Sequence, residues 1–538
     1  MSQRARFGWF AGHEARSRLW MLTLLAGLAP AIFALSTNNI WEDFFITYRC
    51  SLNLAQGHGL VYEVGRTIHV FTSPLGTLLP AGISWLLHTD DPQRVIDVFR
   101  LCACLALAGA WQLAAGRMVG TVALAVTAGL WLLDAKLAAF STNGMETAFL
   151  VLFVVLAWRA LVDGDMRLAG IALGGVMWTR PDGFVFVGAL AVASWVYQRE
   201  RRRDWAGWIR MAGFGAVIYA PWFVWAWWYY GSPVPHTILA KSNIVPDVAG
   251  SLYALASYPF RLLFGHTAAD DAFLPPYFYL GGWPEFLGLW SKALTLGAVT
   301  ATVWPRCARP ARVAGLAFLF GGVYLEMTPR APWYFPAWEV LAFVAIGGVA
   351  AALAESGVTV RRFGQWAIVS GGALLILTQA AFFLAVSVQL REQQSLIEWG
   401  LRAPLGRDLR RLAASPGDTV FLEPLGYIGY FSGLAMRDTP GLCAPEVVAL
   451  RRSGKTRMAE MALALAADWV VLRGREYANM TELERTHFDR QYQYVGQYDA
   501  RAKVEAVAFL PGRGFLRYDS YFLLWHRHDL SPPPAAAR

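Results

Sequence analysis

Two adjacent acids, Glu42 and Asp43, open the stretch of chain with the clearest chemical potential, Trp41-Glu42-Asp43-Phe44-Phe45-Ile46-Thr47-Tyr48-Arg49. If this stretch is helical, Phe44, Tyr48 and Leu52 share one face, and such an amphipathic helix lies flat on a bilayer surface. A carboxylate at that height meets the head-group of a lipid-borne substrate. The plainer reading is that acids simply favour helix starts, where they face the positive end of the dipole. Downstream, Gly57 and Gly59 read as a helix stop and a turn. His58 and His69 in the same loop offer ring nitrogens for acid–base or ligand roles, or for structural ones. Other ionisable residues stand at the ends of apolar runs: Glu146 after Asn143, Arg180 with Asp182, His236 and Lys241 within 231–241, and Arg330 with Trp333 and Tyr334. Snorkelling and interfacial anchoring explain each singly. Their joint arrival on one side of the membrane points to a site.

The elements that must hold these residues are membrane spans. Of 538 residues, 56% are hydrophobic and only 16% charged, where a soluble domain carries about a quarter charged. The net charge is +9, but the arginines fall in short clusters between apolar runs, a topology signal rather than a nucleic-acid stripe. Runs long enough for a span, by the rule of about 20 helical residues, cover 20–36, 95–116, 119–133, 147–162, 211–229, 286–303, 313–327, 334–354 and 366–388. The longer run 168–197 is broken by Thr179-Arg180-Pro181-Asp182-Gly183, so it divides into two short helices meeting at a surface. With about 11 transmembrane helices counted this way, the basic clusters all fall on the cytoplasmic side. Segment 74–87, with Pro80, then lies along the outer interface. The basic amino terminus precedes a retained first span rather than a cleaved signal. The five cysteines show no metal-ligand spacing, and of these Cys50 and Cys443 share the outer compartment, where a bond between them is conceivable.

From 389 onward charge density rises and apolar runs shorten. The expectation is therefore an α-helical polytopic membrane protein, with a transmembrane module at 1–388 bearing an outer loop at 37–94, and a C-terminal soluble α/β domain at 389–538. Residues 420–422, 469–472 and 522–525 read as short buried strands, 458–467 as a helix, and the Pro-rich 531–538 as disordered.

The blocks Glu42-Asp43-Phe44-Phe45-Ile46-Thr47-Tyr48-Arg49, Gly57-His58-Gly59-Leu60-Val61 and Phe71-Thr72-Ser73-Pro74 resemble the first outer loop of GT-C glycosyltransferases akin to the terminal β-(1→2)-arabinofuranosyltransferases of actinobacterial cell walls. The blocks at 142–147, 179–183, 230–237 with Lys241, 332–334, 425–433 and 438–442 are similar to recurring blocks of the same group. The chain departs from the family pattern at Glu42, where an aspartate is usual, and at His236, where an asparagine is usual. The resemblance implies a GT-C fold, a polyprenyl-phosphate sugar donor and catalysis by an acid of the first outer loop. On that basis Asp43 is the general base of an inverting transfer to a glycan or glycolipid acceptor of the cell envelope, and Glu42 orients it or stabilises positive charge on the sugar ring. Arg180, Lys241 and Arg330 would bind the donor phosphate, and His58, Glu146, Asp182, His236 and Tyr334 the substrate. The resemblance assigns no cofactor, and the paired acids leave a divalent cation open. The expected place is the bacterial inner (plasma) membrane, with the active site and C-terminal domain on its outer face, membrane lipid as a partner and no nucleic acid. A lipid-linked sugar transporter or flippase, and a non-catalytic envelope scaffold, are the competing readings; no internal repeat of the kind transporters carry is visible.

Overall fold

The computed structural model describes residues 13–241, 248–328, 331–355 and 363–528. Arg330 and the Pro-rich segment 531–538 lie outside the described residues. Helix α1 (His13–Thr37) is followed by α2 (Glu42–Ala55), α3 (Pro74–Leu87), α4 (Pro92–Ala115), α5 (Thr121–Leu133), α6 (Ala135–Thr142), α7 (Thr147–Asp163), α8 (Met166–Thr179), α9 (Phe184–Tyr197) and α10 (Trp205–Tyr230). Short α11 (His236–Lys241) leads to α12 (Val248–Phe264) and α13 (Ala268–Asp271), and α14 (Leu287–Val303), α15 (Arg309–Glu326), α16 (Pro336–Glu355) and α17 (Phe363–Glu392) complete the helical module.

Every apolar run anticipated as a span falls, to within two residues at its ends, in one of these helices. Five described segments, 17–37, 92–115, 205–230, 336–355 and 370–412, are long and apolar enough to cross a membrane, and a sixth arises if α5 and α6, bent by 51°, count as one. The remaining runs form shorter helices. Large apolar side chains face outward on α1 and α10, with Trp20 64%, Val217 71% and Trp228 79% exposed, the surface expected where lipid is the solvent. Inside the bundle, α8 meets α10 closely because Gly170 and Gly174 carry no side chains: a Cβ on Gly170 would sit 2.5 Å from the Met211 carbonyl oxygen, and one on Gly174 2.6 Å from Ile218. Small residues at such spacing let membrane helices approach. The charged break in 168–197 divides that run into α8 and α9, with Pro181–Gly183 forming a single 3-10 turn between them. Pro181 disfavours helical backbone at the preceding residue, and Arg180 is extended, with φ −152°.

Helix α17 continues without a stop through a π-helical segment (Gln393–Arg402) into α18 (Ala403–Leu412), so position 389 falls inside one long helical rod. Beyond it lie β1 (Thr419–Leu422), α19 (Leu425–Ser432), β2 (Ala435–Asp438), α20 (Pro445–Arg452), α21 (Met458–Leu465), β3 (Trp469–Arg473), β4 (Tyr492–Asp499) and β5 (Tyr521–Arg527). The sheet order is β2-β1-β3-β5-β4. Strand β1 runs parallel to β2 and β3, while β5 is antiparallel to β3 and β4. The anticipated strands are β1, β3 and β5, the central three. The unanticipated β2 and β4 are the edges, and half the residues of β4 are exposed; edge strands carry polar residues that blunt the apolar pattern.

This domain docks on α2 through α19. Phe45 packs on Tyr427 with ring centroids 4.4 Å apart and on Tyr430 at 4.9 Å. Arg49 donates to the Gly429 and Leu434 carbonyls at 2.9 and 3.0 Å. Cys50 and Cys443 are both buried free thiols, so the conceivable disulfide is not formed. The Cys443 thiol instead contacts Asp438 Oδ1 at 3.1 Å.

Candidate active site

The first turn of α2 is fixed from two sides. On one, the Trp41 N–H donates to the Asn143 carbonyl at 2.8 Å, which ties the helix start to the loop before α7. That loop passes so close that only glycine fits at position 144: its φ is +96°, and a Cβ there would lie 2.5 Å from the Phe44 ring. The same loop delivers Glu146, whose Oε1 lies 3.0 Å from Arg180 Nη1. Arg180, at the α8 break, also holds Asp182 at 3.1 Å through Nε, donates to the Tyr334 hydroxyl at 2.6 Å and stacks over the Tyr334 ring at 4.3 Å. Arg180 and Glu146 are buried; Asp182 and Tyr334 are half-buried. Four residues anticipated for phosphate and substrate binding thus form one contact cluster.

Asp43 stands in the field of that cluster. It is half-buried, and among the described residues no hydrogen bond or ion pair engages its carboxylate. Burial raises its pKa above the usual carboxylate value, while the positive charges of Lys241, Arg180 and Arg402 pull it down. A carboxylate in the field of cations can take a proton, and the cations can stabilise negative charge developing opposite it.

Glu42 turns the other way, toward the C-terminal domain. Its Oε2 lies 2.9 Å from Arg402 Nη1, and its Oε1 accepts from the Gly426 N–H at 3.1 Å. Arg402 leaves the π-helical segment and also binds Glu398 at 2.9 Å and Asp519. Asp519 in turn contacts Arg473, which pairs with Glu423 and with Glu476 at 2.8 Å. Burial pushes the Glu42 carboxyl up to about 8, with Arg402 opposing and Glu398, Glu423 and Asp519 reinforcing the rise. Glu42 therefore belongs to an ionic chain whose other members come from the π-helical segment after α17 and from the region of the sheet.

The other anticipated residues lie apart from these contacts. His58 is exposed in the turn after α2, its N–H donating to the Asn53 carbonyl at 2.8 Å. His236 opens α11, donating its N–H to the His69 carbonyl at 2.8 Å, and its Nε2 is buried with no partner among the described residues. Burial lowers the His236 pKa, opposed by nearby Asp438. His69 is stacked on Tyr230 at 4.4 Å and is held neutral, its pKa brought down to about 3 by burial. Lys241 ends α11, half-buried.

Several site residues escaped the sequence reading. Arg402 and Glu398 carry a helical i,i+4 spacing that signals a pair, but nothing local connects them to Glu42. Tyr277 follows Pro275-Pro276 with backbone in the left-handed region, φ 56°, uncommon for so bulky a residue. Its ring stacks on Phe515 at 4.1 Å and lies nearly parallel to Trp41 at 5.8 Å. Between the helical module and the C-terminal domain lies a cavity of about 680 Å³, lined by Glu42, Trp41, Tyr277 and Arg402 among others. His266 and Asp271 also line it, with His266 Nε2 2.7 Å from Asp271 Oδ1. Among the described residues no group of three or more His, Cys, Asp or Glu is placed to hold a metal ion.

A family model described only as a domain of unknown function, DUF8728, matches residues 389–520. No match is found among curated proteins. The chain is similar in fold to ArnT from Cupriavidus metallidurans. Against the crystal structure of its apo state the TM-score is 0.53 with 14% identity, covering 86% of this chain and 94% of ArnT. Against ArnT bound to undecaprenyl phosphate the TM-score is 0.53 with 14% identity, covering 94% of this chain and 97% of ArnT. At this identity the likeness is one of fold, and it extends over both the helical module and the C-terminal domain.

Proposed function

We propose that this protein is a membrane glycosyltransferase of the GT-C type, which moves a sugar from a polyprenyl-phosphate carrier to a glycan or lipid acceptor of the cell envelope. The observation that carries this reading is the Asp43 carboxylate, engaged by no hydrogen bond or ion pair among the described residues and standing in the field of Arg180 and Lys241. A fold shared with ArnT, one of whose crystal structures holds undecaprenyl phosphate, supports a lipid-linked donor, and the apolar helices supply the solvent for its tail.

In this mechanism Asp43 removes the proton of the acceptor hydroxyl as that oxygen forms a bond to the anomeric carbon. The bond from the anomeric carbon to the phosphate oxygen breaks, the configuration inverts, and the polyprenyl phosphate leaves with the electron pair. Arg180 and Lys241 favour that step by meeting the growing charge on phosphate. Arg180 is held by Glu146, Asp182 and Tyr334, so these residues position it. The site and C-terminal domain face the outer side of a bacterial inner membrane, with about eleven spans, and arabinofuranose is the sugar that the sequence resemblance favours.

The test is transfer of radiolabelled sugar from synthetic polyprenyl-phosphate donors, sugars varied, by purified wild-type protein and a folded Asp43→Asn variant. Transfer by the wild type alone supports the assignment. Equal transfer by both removes Asp43 from the mechanism, and no transfer from any donor overturns the enzyme reading.

A further inference from the structure

Arg100 lies in α4, only 8% exposed, and its guanidinium is divided among separate segments of the chain. Nε donates to the Thr142 carbonyl at 2.8 Å and Nη2 to the Asn39 carbonyl at 2.8 Å. Nη1 meets Asn38 Oδ1 at 2.9 Å and Asp97 Oδ1 at 3.1 Å. Thr142 ends α6, and a cation at the open carbonyls of a helix end is an ordinary cap. The second carbonyl sets Arg100 apart from a cap, because Asn39 belongs to the segment between α1 and α2. The neighbouring tie is the Trp41 N–H to the Asn143 carbonyl at 2.8 Å. Residues 39–41 and 142–143 are thus joined twice, once through the Arg100 fork and once through backbone.

From the other side, the Ile40 N–H donates to Gln394 Oε1 at 2.9 Å, and the Tyr427 hydroxyl donates to the Ile40 carbonyl at 2.9 Å. Every main-chain donor and acceptor from the Asn39 carbonyl to the Trp41 N–H therefore has a partner. Asp43 stands two residues beyond Trp41, and Glu146, 3.0 Å from Arg180, stands three beyond Asn143. An arginine suits this place because its donors diverge in one rigid plane, whereas a lysine ammonium is a single point.

We propose that Arg100 is a positioning residue: by holding the Asn39 and Thr142 carbonyls together, it fixes where Asp43 stands relative to the Glu146–Arg180 pair. Arg100 acts through Asp43 and takes no proton itself. Its role in transfer rests on the glycosyltransferase reading, and its role as a tie does not.

The test uses full-length protein in nanodiscs, as wild type, Arg100→Lys, Asp43→Asn and the double variant. Hydrogen exchange reads the tie without any substrate. In Arg100→Lys, peptides 38–48 and 140–148 should exchange about tenfold faster than in wild type, with the C-terminal sheet unchanged. Exchange like wild type in both peptides, or equal acceleration everywhere, overturns the proposal. So does fast exchange of the Ile40 and Trp41 amides in the wild-type protein, a result that needs no folded variant. Radiolabelled sugar transfer then reads the positioning. Arg100→Lys should lower kcat about 10²-fold, the scale of a misplacement of about 1 Å, with KM for the donor within about threefold. In the Asp43→Asn background the same substitution should lower residual transfer by less than about threefold, because the group it positions is gone. Equal losses in both backgrounds assign Arg100 a purely structural role and overturn the proposal. Absence of transfer by the wild type removes the transferase reading, while exchange still decides whether Arg100 ties the two segments.

Discussion

Glu42 Oε2 lies 2.9 Å from Arg402 Nη1, whereas the carboxylate of the next residue, Asp43, is engaged by no hydrogen bond or ion pair among the described residues and stands in the field of Arg180 and Lys241. Successive residues on a helix project in different directions. One carboxylate thereby meets Arg402, and the other points away from that contact.

Asp43→Asn should lower sugar transfer by roughly 10²- to 10⁴-fold, the usual scale of general-base catalysis. Because no described partner is lost, the melting temperature of the purified variant should match wild type within about 2 °C. A large loss of stability would instead assign Asp43 a structural role.

The acid limb of the rate profile should report Asp43. Its pKa is raised in the folded protein, and a base must be ionised to act, so kcat/KM should fall with decreasing pH at a midpoint above that of an ordinary carboxylate. A midpoint at or below about 4 would contradict this.

Stability should decline as pH rises because of Glu42. The carboxyl titrates near 8 in the folded protein against 4.5 ordinarily, so between these values the folded state holds the extra proton and stability falls with increasing pH. Below about 4.5 the group costs nothing. His69 acts in the opposite sense, with a folded pKa near 3 against 6.5: the unfolded state binds the extra proton, and stability falls as pH drops through that window. Melting curves across pH 4 to 9 for wild type, Glu42→Gln and His69→Phe should show the upper and lower slopes flattened respectively.

Arg402→Met should be strongly destabilising, because Glu398 and Asp519 lose their shared cation in a buried place. Breaking a buried pair in this way costs about 3–5 kcal/mol. Arg402→Lys retains charge but has one ammonium where a planar fork met three acids, so it should be intermediate in a denaturant or thermal series. Equal stability of all three proteins would show that the chain of ion pairs does not hold the domains together.

Gly426→Ala tests the docking directly. A Cβ there would lie 2.1 Å from the Glu42 carbonyl oxygen, backbone that cannot swing aside, so α19 and α2 must separate. Cross-linking between cysteines placed at solvent-facing positions of α2 and α19, on either side of the Phe45–Tyr427 contact, should fall relative to the same cysteine pair with Gly426 retained.

The membrane character and the positions of the helices were legible in the chain because a bilayer imposes one simple demand, a long apolar run, and every such run became helix. The three central strands were legible for the same reason: β1, β3 and β5 are buried and apolar, while the edges β2 and β4 are too polar or too short to announce themselves. Asp43, Glu146, Arg180, Asp182 and Tyr334 stood out locally, as charged or aromatic residues beside apolar runs, and the fold gathers the last four into one contact cluster beside Asp43. What only the tertiary structure decided is which acid faces which partner. Arg402, Arg473 and Asp519 look like ordinary charges of a soluble domain until the fold buries them against Glu42, and Tyr277 and Phe515 meet Trp41 from distant parts of the chain. Ion pairing and ring stacking depend on distances of a few ångströms, and no local pattern of residues encodes contacts between segments hundreds of positions apart.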